Sequence, residues 1–507
     1  MNLYALVLGI IVSTLLFVSL RQMRMVKTKA DYLVAGRTLP WYVLVFTLLS
    51  SWIGSGSLFG GAENAFKNGF SALWQSAGGW AGLLVIVFIA PRARKFAQYT
   101  IPDLLETRYN AWARSLGAIA ILFAFTAITS YQFKGGGDVL HLIFPSLDDI
   151  ARTDFGLAPG HEHVLGMVII AAFVILFTAL AGMASVAYLD VVIGGLMSII
   201  ALISVPLLIY NVGGWSGFHD KLPPEYFSWF GYFGWKNGVS QGFGPGFIRA
   251  MELFWPTMLL LLGNQTMYQK FFSARSERDA KLAVFGWITG TLILEWLIVA
   301  IAVLGAALFV GHTDIIPREI IPYTARHALP PLMGAILMGA VFAKVISTAN
   351  NYLFSPATNL VNDVFLRFIN KDASDRHVVI LSRIVVVFLG IFALLQVALF
   401  TTVLQAALYA YTVYSAAITP VVLAAFFSKR ATAAGAVTCI LAGTFITIFW
   451  NLQQLALEAH NPTLLPEGWL ARDAIFPALA VSLLCLIVVS FITAPPREEQ
   501  WKAFIPE

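Results

Sequence analysis

The chain has 507 residues, of which 59% are hydrophobic and only 12% are charged, whereas soluble globular proteins carry about 25% charged residues. Apolar runs of about 20 residues recur along its whole length, and each is long enough to cross a bilayer as a helix. The composition therefore excludes a soluble protein and indicates a polytopic all-α membrane protein. The net charge of +5 comes from basic residues at helix ends, not from a basic tail or patch, which argues against nucleic acid as a partner.

Hydropathy predicts thirteen membrane spans. They cover residues 3–21, 40–62, 70–91, 112–143, 163–181, 186–211, 246–272, 281–311, 331–358, 377–397, 401–427, 432–450 and 474–494. The first span has no basic region before it and no small-residue cleavage site after it, so we interpret it as a retained helix, not a signal peptide. Cys439 and Cys485 both fall in apolar segments, without metal-binding spacing.

The distribution of Lys and Arg predicts the orientation. Most of them, Lys270 included, fall in loops on one side, which predicts an outside N-terminus and a cytoplasmic C-terminus in a multi-pass plasma-membrane protein. We expect one integral domain over residues 1–507. Within it we expect an extra N-terminal helix at 1–30, a first inverted repeat at 40–211, a second at 246–427 and extra C-terminal helices at 432–507.

Two spans contain helix-breaking residues. The second reads SSWIGSGSLFGGAEN, residues 50–64, and the seventh reads FWPTMLLLLGNQTMYQ, residues 254–269, with Pro256 and then Gly263-Asn264-Gln265. They lie five spans apart and are predicted to run in opposite directions. Interrupted helices at matching places in two inverted halves are typical of secondary transporters, where unwound backbone lines the binding site. The alternative is that these glycines only allow close helix packing.

Several motifs resemble the sodium/solute symporter family. They are ADYLVAGRTLPWY, SSWIGSGSLFGGAENAFKNG, YQFKGGGDVL, GMASVAYLDVV, GNQTMYQKFFSARSERDA, ISTANN and, near the end, KRATAAGA. The resemblance implies a ten-helix inverted-repeat core, made of spans two to eleven, like that of the leucine transporter. It also implies alternating access and a substrate site at mid-membrane between the two broken helices. It does not imply which solute is carried.

The resemblance also implies the ligands of one sodium ion. They would be the backbone carbonyls of Ser50, Ile53 and residue 344 and the hydroxyls of Ser347 and Thr348, with Asp190 close by. Residues 344, 347 and 348 share one face of a helix. Alternatively, Ser and Thr in a membrane helix often bond only to their own backbone.

Position 344 is usually small in the family, but here it is lysine. A charge so deep in a span is costly, and it repels a nearby Na⁺. We expect the Lys344 ammonium to occupy or border the cation site, with Asp190 as its counter-ion and Ser347 and Thr348 as its hydrogen-bond acceptors. If it stays charged, transport is uniport or exchange; if burial favours the neutral form, transport is proton-coupled. The alternative is that the side chain extends to the membrane interface.

Other polar residues near the breaks are candidates for binding the solute. The predicted substrate-binding residues are Trp52, Gly56, Ser57, Tyr131, Lys134, Asn264, Gln265 and Tyr268. Trp52 would attract an ammonium through cation–π contact or cover another solute as an apolar lid. Lys134 is expected to pair with Asp138 at i,i+4 or to anchor a carboxylate, and Glu295 is expected to be neutral or to face the core.

These patterns favour a secondary transporter of a small polar organic solute (an amine, amino acid, organic acid or osmolyte). We expect no cofactor except a possible coupling Na⁺, whose binding Lys344 would weaken or which Lys344 would replace. The alternatives are an ordinary sodium:solute symporter and a membrane solute sensor that acts with a partner. We do not expect an enzyme, because no nucleophile elbow or His-Glu-x-x-His motif is present.

Overall fold

The computed structural model describes residues 3–23, 28–96, 99–154, 163–180, 183–236, 238–313, 315–400 and 402–505. Helices dominate these residues, and one short hairpin, β1 (Trp235–Lys236) with β2 (Val239–Ser240), joins them. The α-helices are α1 Leu3–Met23, α2 Lys29–Val34, α3 Trp41–Trp52, α4 Ala62–Asn68, α5 Leu73–Phe96, α6 Ile101–Arg108, α7 Ala111–Ile143, α8 Ser146–Thr153, α9 His163–Leu180, α10 Met183–Val212, α11 Gly214–Lys221, α12 Phe243–Gly263, α13 Gln265–Ser273, α14 Glu277–Leu308, α15 Ile320–His327, α16 Pro331–Asn359, α17 Asp375–Gln396, α18 Val403–Ala417, α19 Thr419–Phe427, α20 Ala433–Glu458, α21 Glu467–Leu470, α22 Ile475–Ile492 and α23 Glu498–Trp501.

Eleven helical runs within the described residues are long and apolar enough to cross a membrane, and Leu3–Val18 and Trp41–Trp52 are shorter apolar helices. The prediction of an all-α polytopic membrane protein is confirmed. The count of thirteen spans, the inverted-repeat boundaries and the extra terminal helices stay predictions.

The first broken helix runs from α3 into a π-helical turn at Gly56–Gly61. α3 ends at Trp52, and Ile53 has an extended backbone with φ −86° and ψ 105°. The break leaves carbonyls at the end of α3 without helical partners. The carbonyls of Ser50 and Ile53 accept hydrogen bonds from the Thr348 hydroxyl on α16 instead, so the break creates polar atoms in the middle of an apolar bundle.

The second broken helix consists of α12 and α13. Asn264 between them is extended, with φ −66° and ψ 112°, and its side chain caps α13 by accepting a hydrogen bond from the backbone N–H of Thr266. Pro256 does not cause this break, because α12 continues past it to Gly263. The Ser415 hydroxyl of α18 donates to the Pro256 carbonyl at 2.8 Å.

α16 lies at the centre of the bundle. It packs against α7, α10, α1 and α15, and its side chains from Gly339 to Asn359 are buried. By contrast, α17 and α22 expose large apolar side chains on their outer faces, as lipid-facing helices do. A lysine in α16 is therefore surrounded by protein rather than by lipid.

Candidate solute and cation sites

Three carbonyls and one hydroxyl meet where the first broken helix touches α16. The Thr348 hydroxyl lies 2.8 Å from the Ser50 carbonyl and 3.1 Å from the Ile53 carbonyl. It also lies 3.0 Å from the carbonyl of Lys344, one helical turn earlier. Unwound carbonyls of this kind coordinate cations in transporters with broken helices. Four of the five atoms predicted as cation ligands therefore lie together.

The Lys344 side chain is fully buried beside this oxygen cluster. Its Nζ atom donates to the hydroxyl oxygen of Ser50 at 2.8 Å, so it does not extend to the membrane interface. The prediction that Ser347 and Thr348 accept its hydrogen bonds is wrong. Thr348 is directed at the broken helix, while the Ser347 hydroxyl donates to the Asp190 carboxylate.

Asp190 on α10 is fully buried and accepts hydrogen bonds from the hydroxyls of Ser347 and Thr47, the latter at 2.5 Å. The predicted counter-ion contact with Lys344 is not a direct ion pair in the structure, because the Lys344 ammonium bonds to Ser50 instead. The Ser50 hydroxyl in turn lies 3.4 Å from the backbone carbonyl of Asp190. The Ser50 hydroxyl therefore links the Lys344 ammonium to the backbone of Asp190.

A second buried lysine, Lys270, approaches the same carboxylate from α13. Its Nζ atom donates to Oδ1 of Asn351 at 2.8 Å, and Nδ2 of Asn351 lies 3.4 Å from Asp190. Lys270 was predicted to lie in a cytoplasmic loop. The structure corrects this prediction, because Lys270 is fully buried. The signal that could have located it is the pair of apolar residues that follows, Phe271 and Phe272, which extends the helix beyond the lysine.

The candidate solute cavity lies on the other side of the first break. It is lined by Trp52, Ser57, Gly61, Ala72, Gln75, Ser76, Thr257, Glu295, Val299 and Tyr411. Trp52 and Ser57 are predicted solute residues, whereas no sequence pattern indicated the lining residues from α5, α12 and α18. The side chains leave free space for about one water molecule, so the cavity as it stands is too small for an organic solute.

Glu295 of α14 borders this cavity instead of facing an apolar core. Its Oε1 atom accepts a hydrogen bond from the Ser57 hydroxyl at 3.0 Å, and its Oε2 atom accepts one from the Ser76 hydroxyl at 2.7 Å. The carboxylate thereby joins the first broken helix to α5 and α14. No local pattern around Glu295 indicates this, because both partners are more than 200 residues away in the chain.

Gly56 and Tyr131 lie at the edge of this cavity. The Tyr131 and Tyr411 hydroxyls are 3.5 Å apart. A Cβ atom at Gly56 would lie 2.7 Å from the Tyr411 hydroxyl, so only glycine lets the broken helix approach α18 this closely. These two predicted residues are near Trp52 and Ser57.

The remaining predicted solute residues lie elsewhere. Asn264 donates to the Tyr352 hydroxyl at 2.8 Å, and Gln265 accepts a hydrogen bond from the backbone N–H of Ile101. The Tyr268 hydroxyl donates to the carbonyl of Leu262 at 3.0 Å. These three residues stabilise the second break and do not line the cavity beside Trp52.

Lys134 is also outside the cavity. Its Nζ atom donates to the carbonyl of Phe400 at 3.0 Å. Asp138, its expected partner, accepts two hydrogen bonds from the guanidinium of Arg318, at 2.8 and 3.2 Å. His163 and Glu319 also lie against this pair, so Asp138 forms its ion pair with Arg318.

A charged network lies at the opposite end of the bundle, which the charge bias predicts to be cytoplasmic. Arg114 at the start of α7 contacts the carboxylates of Asp103, Glu106 and Asp363 at 3.0, 2.5 and 2.6 Å. Arg367 pairs with Glu106 at 2.6 Å. These contacts hold α6 and α7 against the end of α16.

The profile of the sodium:solute symporter family matches residues 32–443, most of the chain. The chain belongs to this family. The osmoregulated proline transporter OpuE of Bacillus subtilis is 25% identical over 94% of this chain and 92% of its own length. The sodium/proline symporter of Staphylococcus aureus (strain JH9) is 25% identical over 92% of this chain and 88% of its own length.

Solved structures confirm the fold of this family member. A Na⁺-coupled sialic acid symporter in a substrate-bound outward-open state superimposes with a TM-score of 0.76, at 17% identity, over 98% of this chain and 99% of that one. Mhp1, a nucleobase-cation-symport-1 family transporter, gives a TM-score of 0.53 at 14% identity, over 94% of this chain and 99% of that one. The predicted resemblance and the leucine-transporter-like fold are confirmed. The prediction that the chain is not an enzyme is also confirmed, because the family and the relatives of this chain are transporters.

Proposed function

We propose that the protein is a secondary transporter of a small polar organic solute, in which the buried ammonium of Lys344 replaces the coupling sodium ion. The observation that carries this proposal is the 2.8 Å contact between Lys344 Nζ and the hydroxyl of Ser50. The carbonyl of the same serine belongs to the oxygen cluster around Thr348. The ammonium therefore stands where a bound cation would have to be accommodated.

Electrostatic repulsion supports the replacement. Two unit charges about 4 Å apart repel by roughly 4 kcal/mol at an effective dielectric constant of 20. An opposing free energy of that size weakens binding by about a factor of one thousand. Sodium would then fail to bind at ordinary concentrations while Lys344 is protonated.

Lys270 strengthens the argument by adding a second positive charge to the same region. With both lysines protonated, Asp190 balances only one of them. Adding Na⁺ would leave Lys270, Lys344, Asp190 and the ion with two uncompensated positive charges in the protein interior, which is costly. Two mechanisms follow: transport without a coupling ion if both lysines stay protonated, or proton coupling if one of them loses its proton in each cycle.

We infer that the solute is a small organic molecule, in keeping with the proline named in two relatives and the sialic acid named in the structural neighbour. We also propose a plasma-membrane location with the N-terminus outside, because basic residues concentrate in the loops of the opposite side.

Ordinary sodium symport is the second candidate. The observation that favours it is the intact oxygen cluster, since the carbonyls of Ser50, Ile53 and residue 344 remain within 3.1 Å of the Thr348 hydroxyl. In that case Lys344 would have to withdraw from Ser50 when Na⁺ binds.

Sodium binding to the purified protein separates the two candidates without knowledge of the solute. We expect no saturable ²²Na⁺ binding in a scintillation proximity assay for the wild type, and measurable binding after Lys344→Ala. Lys281→Ala removes an exposed lysine of α14 and serves as the matched control. Saturable, millimolar-range Na⁺ binding by the wild type would overturn the replacement.

Uptake into proteoliposomes tests transport itself. Labelled proline and labelled pyrrolidine should be screened in Na⁺ and in K⁺ at one pH. We expect uptake of at least one of them that changes less than twofold between the two salts. Uptake that rises steeply and saturably with Na⁺ would establish ordinary symport, and the absence of any uptake by protein that binds these compounds would favour a sensor.

A further inference from the structure

Glu295 brings a carboxyl group into the cavity beside Trp52. Of the residues that line this cavity, Glu295 alone carries a carboxylate, and none is Lys, Arg or His. Glu295 is only 5% exposed. Both of its oxygens accept hydrogen bonds from serine hydroxyls, at 3.0 and 2.7 Å. Acceptance at both oxygens is the arrangement expected of an ionised carboxylate.

A further polar group in the cavity lacks a protein partner. Oε1 of Gln75, whose side chain is 7% exposed, accepts no hydrogen bond. The indole N–H of Trp52, by contrast, interacts with the Glu295 carboxyl group. Buried polar groups rarely stay unpaired in a folded protein, so Gln75 points to a ligand. The free acceptor on Gln75 calls for a ligand with N–H or O–H donors.

Aromatic rings enclose the carboxylate. Trp52 ends α3 and Tyr411 lies on α18, and both line the cavity with Glu295. Gly79 of α5 makes room for the indole, since a Cβ atom there would lie 2.8 Å from the Trp52 ring. Aromatic faces attract ammonium groups, and the attraction grows where water is excluded.

The break in the first helix offers little to a carboxylate group on the ligand. A helix N-terminus binds anions through free backbone N–H groups. Here the N–H of Ser55 donates to the side chain of Gln132, and those of Ser57 and Leu58 donate to the carbonyl of Gly54. With these donors occupied and no basic residue in the lining, a zwitterion would leave its carboxylate unpaired.

We propose that the cavity binds a small organic monocation whose N–H-bearing ammonium group rests on Glu295 and Gln75, with its apolar part against Trp52 and Tyr411. This proposal rests on the transport function proposed above and specifies the charge class of its solute. Entry of such a solute requires the lining helices to move apart, because the cavity has space for about one water molecule.

A series of five-membered rings that differ in charge tests the proposal. Pyrrolidine is a monocation at pH 7.5, cyclopentanol is neutral, cyclopentanecarboxylate is an anion and proline is a zwitterion. Relative affinities follow from the concentration dependence of the melting temperature of the purified protein, measured in K⁺ buffer without a gradient. We expect pyrrolidine to bind at least tenfold more tightly than each of the other three.

The variant Glu295→Gln should lower pyrrolidine affinity at least tenfold and leave cyclopentanol affinity unchanged. The control Glu252→Gln alters another buried glutamate, which pairs with Arg249 at 2.7 Å, and should leave the ring preference intact. The melting temperature of each variant without ligand shows whether it is folded. Equal binding of pyrrolidine and cyclopentanol, stronger binding of proline, or a preference that survives Glu295→Gln would each overturn the proposal.

This assay needs neither sodium nor transport, so its failure is distinguishable from failure of the proposed function. Charge-selective binding together with strictly Na⁺-driven uptake would refute the proposed role of Lys344 and leave that of Glu295 intact. Sodium-independent uptake without charge-selective binding would refute the proposed role of Glu295 and leave that of Lys344 intact.

Discussion

Among the described residues, Asp190 is the acidic group that acts on both Lys270 and Lys344, and Asp190→Asn removes its charge. At a separation of about 5 Å and an effective dielectric constant of 20, each ammonium loses about 3 kcal/mol of attraction. The hydrogen bonds from Ser347 and Thr47 also weaken, because a neutral amide oxygen accepts less strongly than a carboxylate. Measured costs of leaving a buried charge unpaired are about 3–5 kcal/mol.

We therefore expect Asp190→Asn to lower the melting temperature of the detergent-solubilised protein by at least about 5 °C. Adding Lys344→Met or Lys270→Met should recover part of this loss, because each double variant again carries a single uncompensated charge. The double-mutant cycle measures the coupling of each lysine to Asp190. Asp220→Asn, which alters an exposed aspartate of α11, is the control and should leave the melting temperature unchanged.

An unchanged melting temperature for Asp190→Asn, with no recovery in either double variant, would refute this reasoning. It would mean that neither lysine is held as a cation by Asp190. A loss that only Lys270→Met recovers would identify Lys270, and not Lys344, as the charged partner.

Three further predictions concern other parts of the molecule. Gly56→Ala should reduce solute uptake at least tenfold without loss of expression, because its Cβ atom would lie 2.7 Å from the Tyr411 hydroxyl; Gly195→Ala, at an open helical position, is the control and should transport normally. Burial raises the pKa of Asp473 from 3.8 to about 6, so the folded protein favours the protonated carboxyl group. The resulting contribution to the free energy of unfolding is fully present below pH 4. It is lost as the pH rises through 6, by up to about 3 kcal/mol. Asp473→Asn should therefore raise the melting temperature at pH 7.5 and not at pH 4, and equal effects at both pH values would contradict the assignment. Arg114→Gln leaves three carboxylates without their shared cation and should accelerate limited proteolysis near α6; an unaltered digestion pattern would show that the network does not hold that end closed.

The broken helices could be predicted because their cause is local. Glycines clustered in an apolar run and an asparagine after glycine are unfavourable in a helix interior, and the structure places breaks after Trp52 and at Asn264. The cation position stays a prediction, which came from the resemblance and from helical spacing, since residues three and four apart share a face. Pro256 was a misleading signal, because a proline within a membrane helix is tolerated when neighbouring groups satisfy the freed backbone.

The partners of Glu295 and Lys270 could not be assigned from sequence, because they come from distant segments. Hydropathy placed Lys270 at the edge of a span, yet α13 turns it toward Asn351 on α16. Glu295 appeared isolated in an apolar helix, but its two hydroxyl partners belong to the first broken helix and α5. Such contacts depend on which helix faces meet in the bundle, and single-chain periodicity gives no information about that.

The covalent attachment of Lys344 to α16 has a thermodynamic consequence. A sodium ion that is released on the other side of the membrane transfers the free energy of its gradient to the solute, whereas a side chain returns with the protein and transfers none. With Lys344 permanently protonated, a monocationic solute would respond only to its own concentration difference and to the membrane voltage. A voltage of 100 mV is worth about 2.3 kcal/mol for one elementary charge, equivalent to roughly a fifty-fold accumulation ratio at equilibrium.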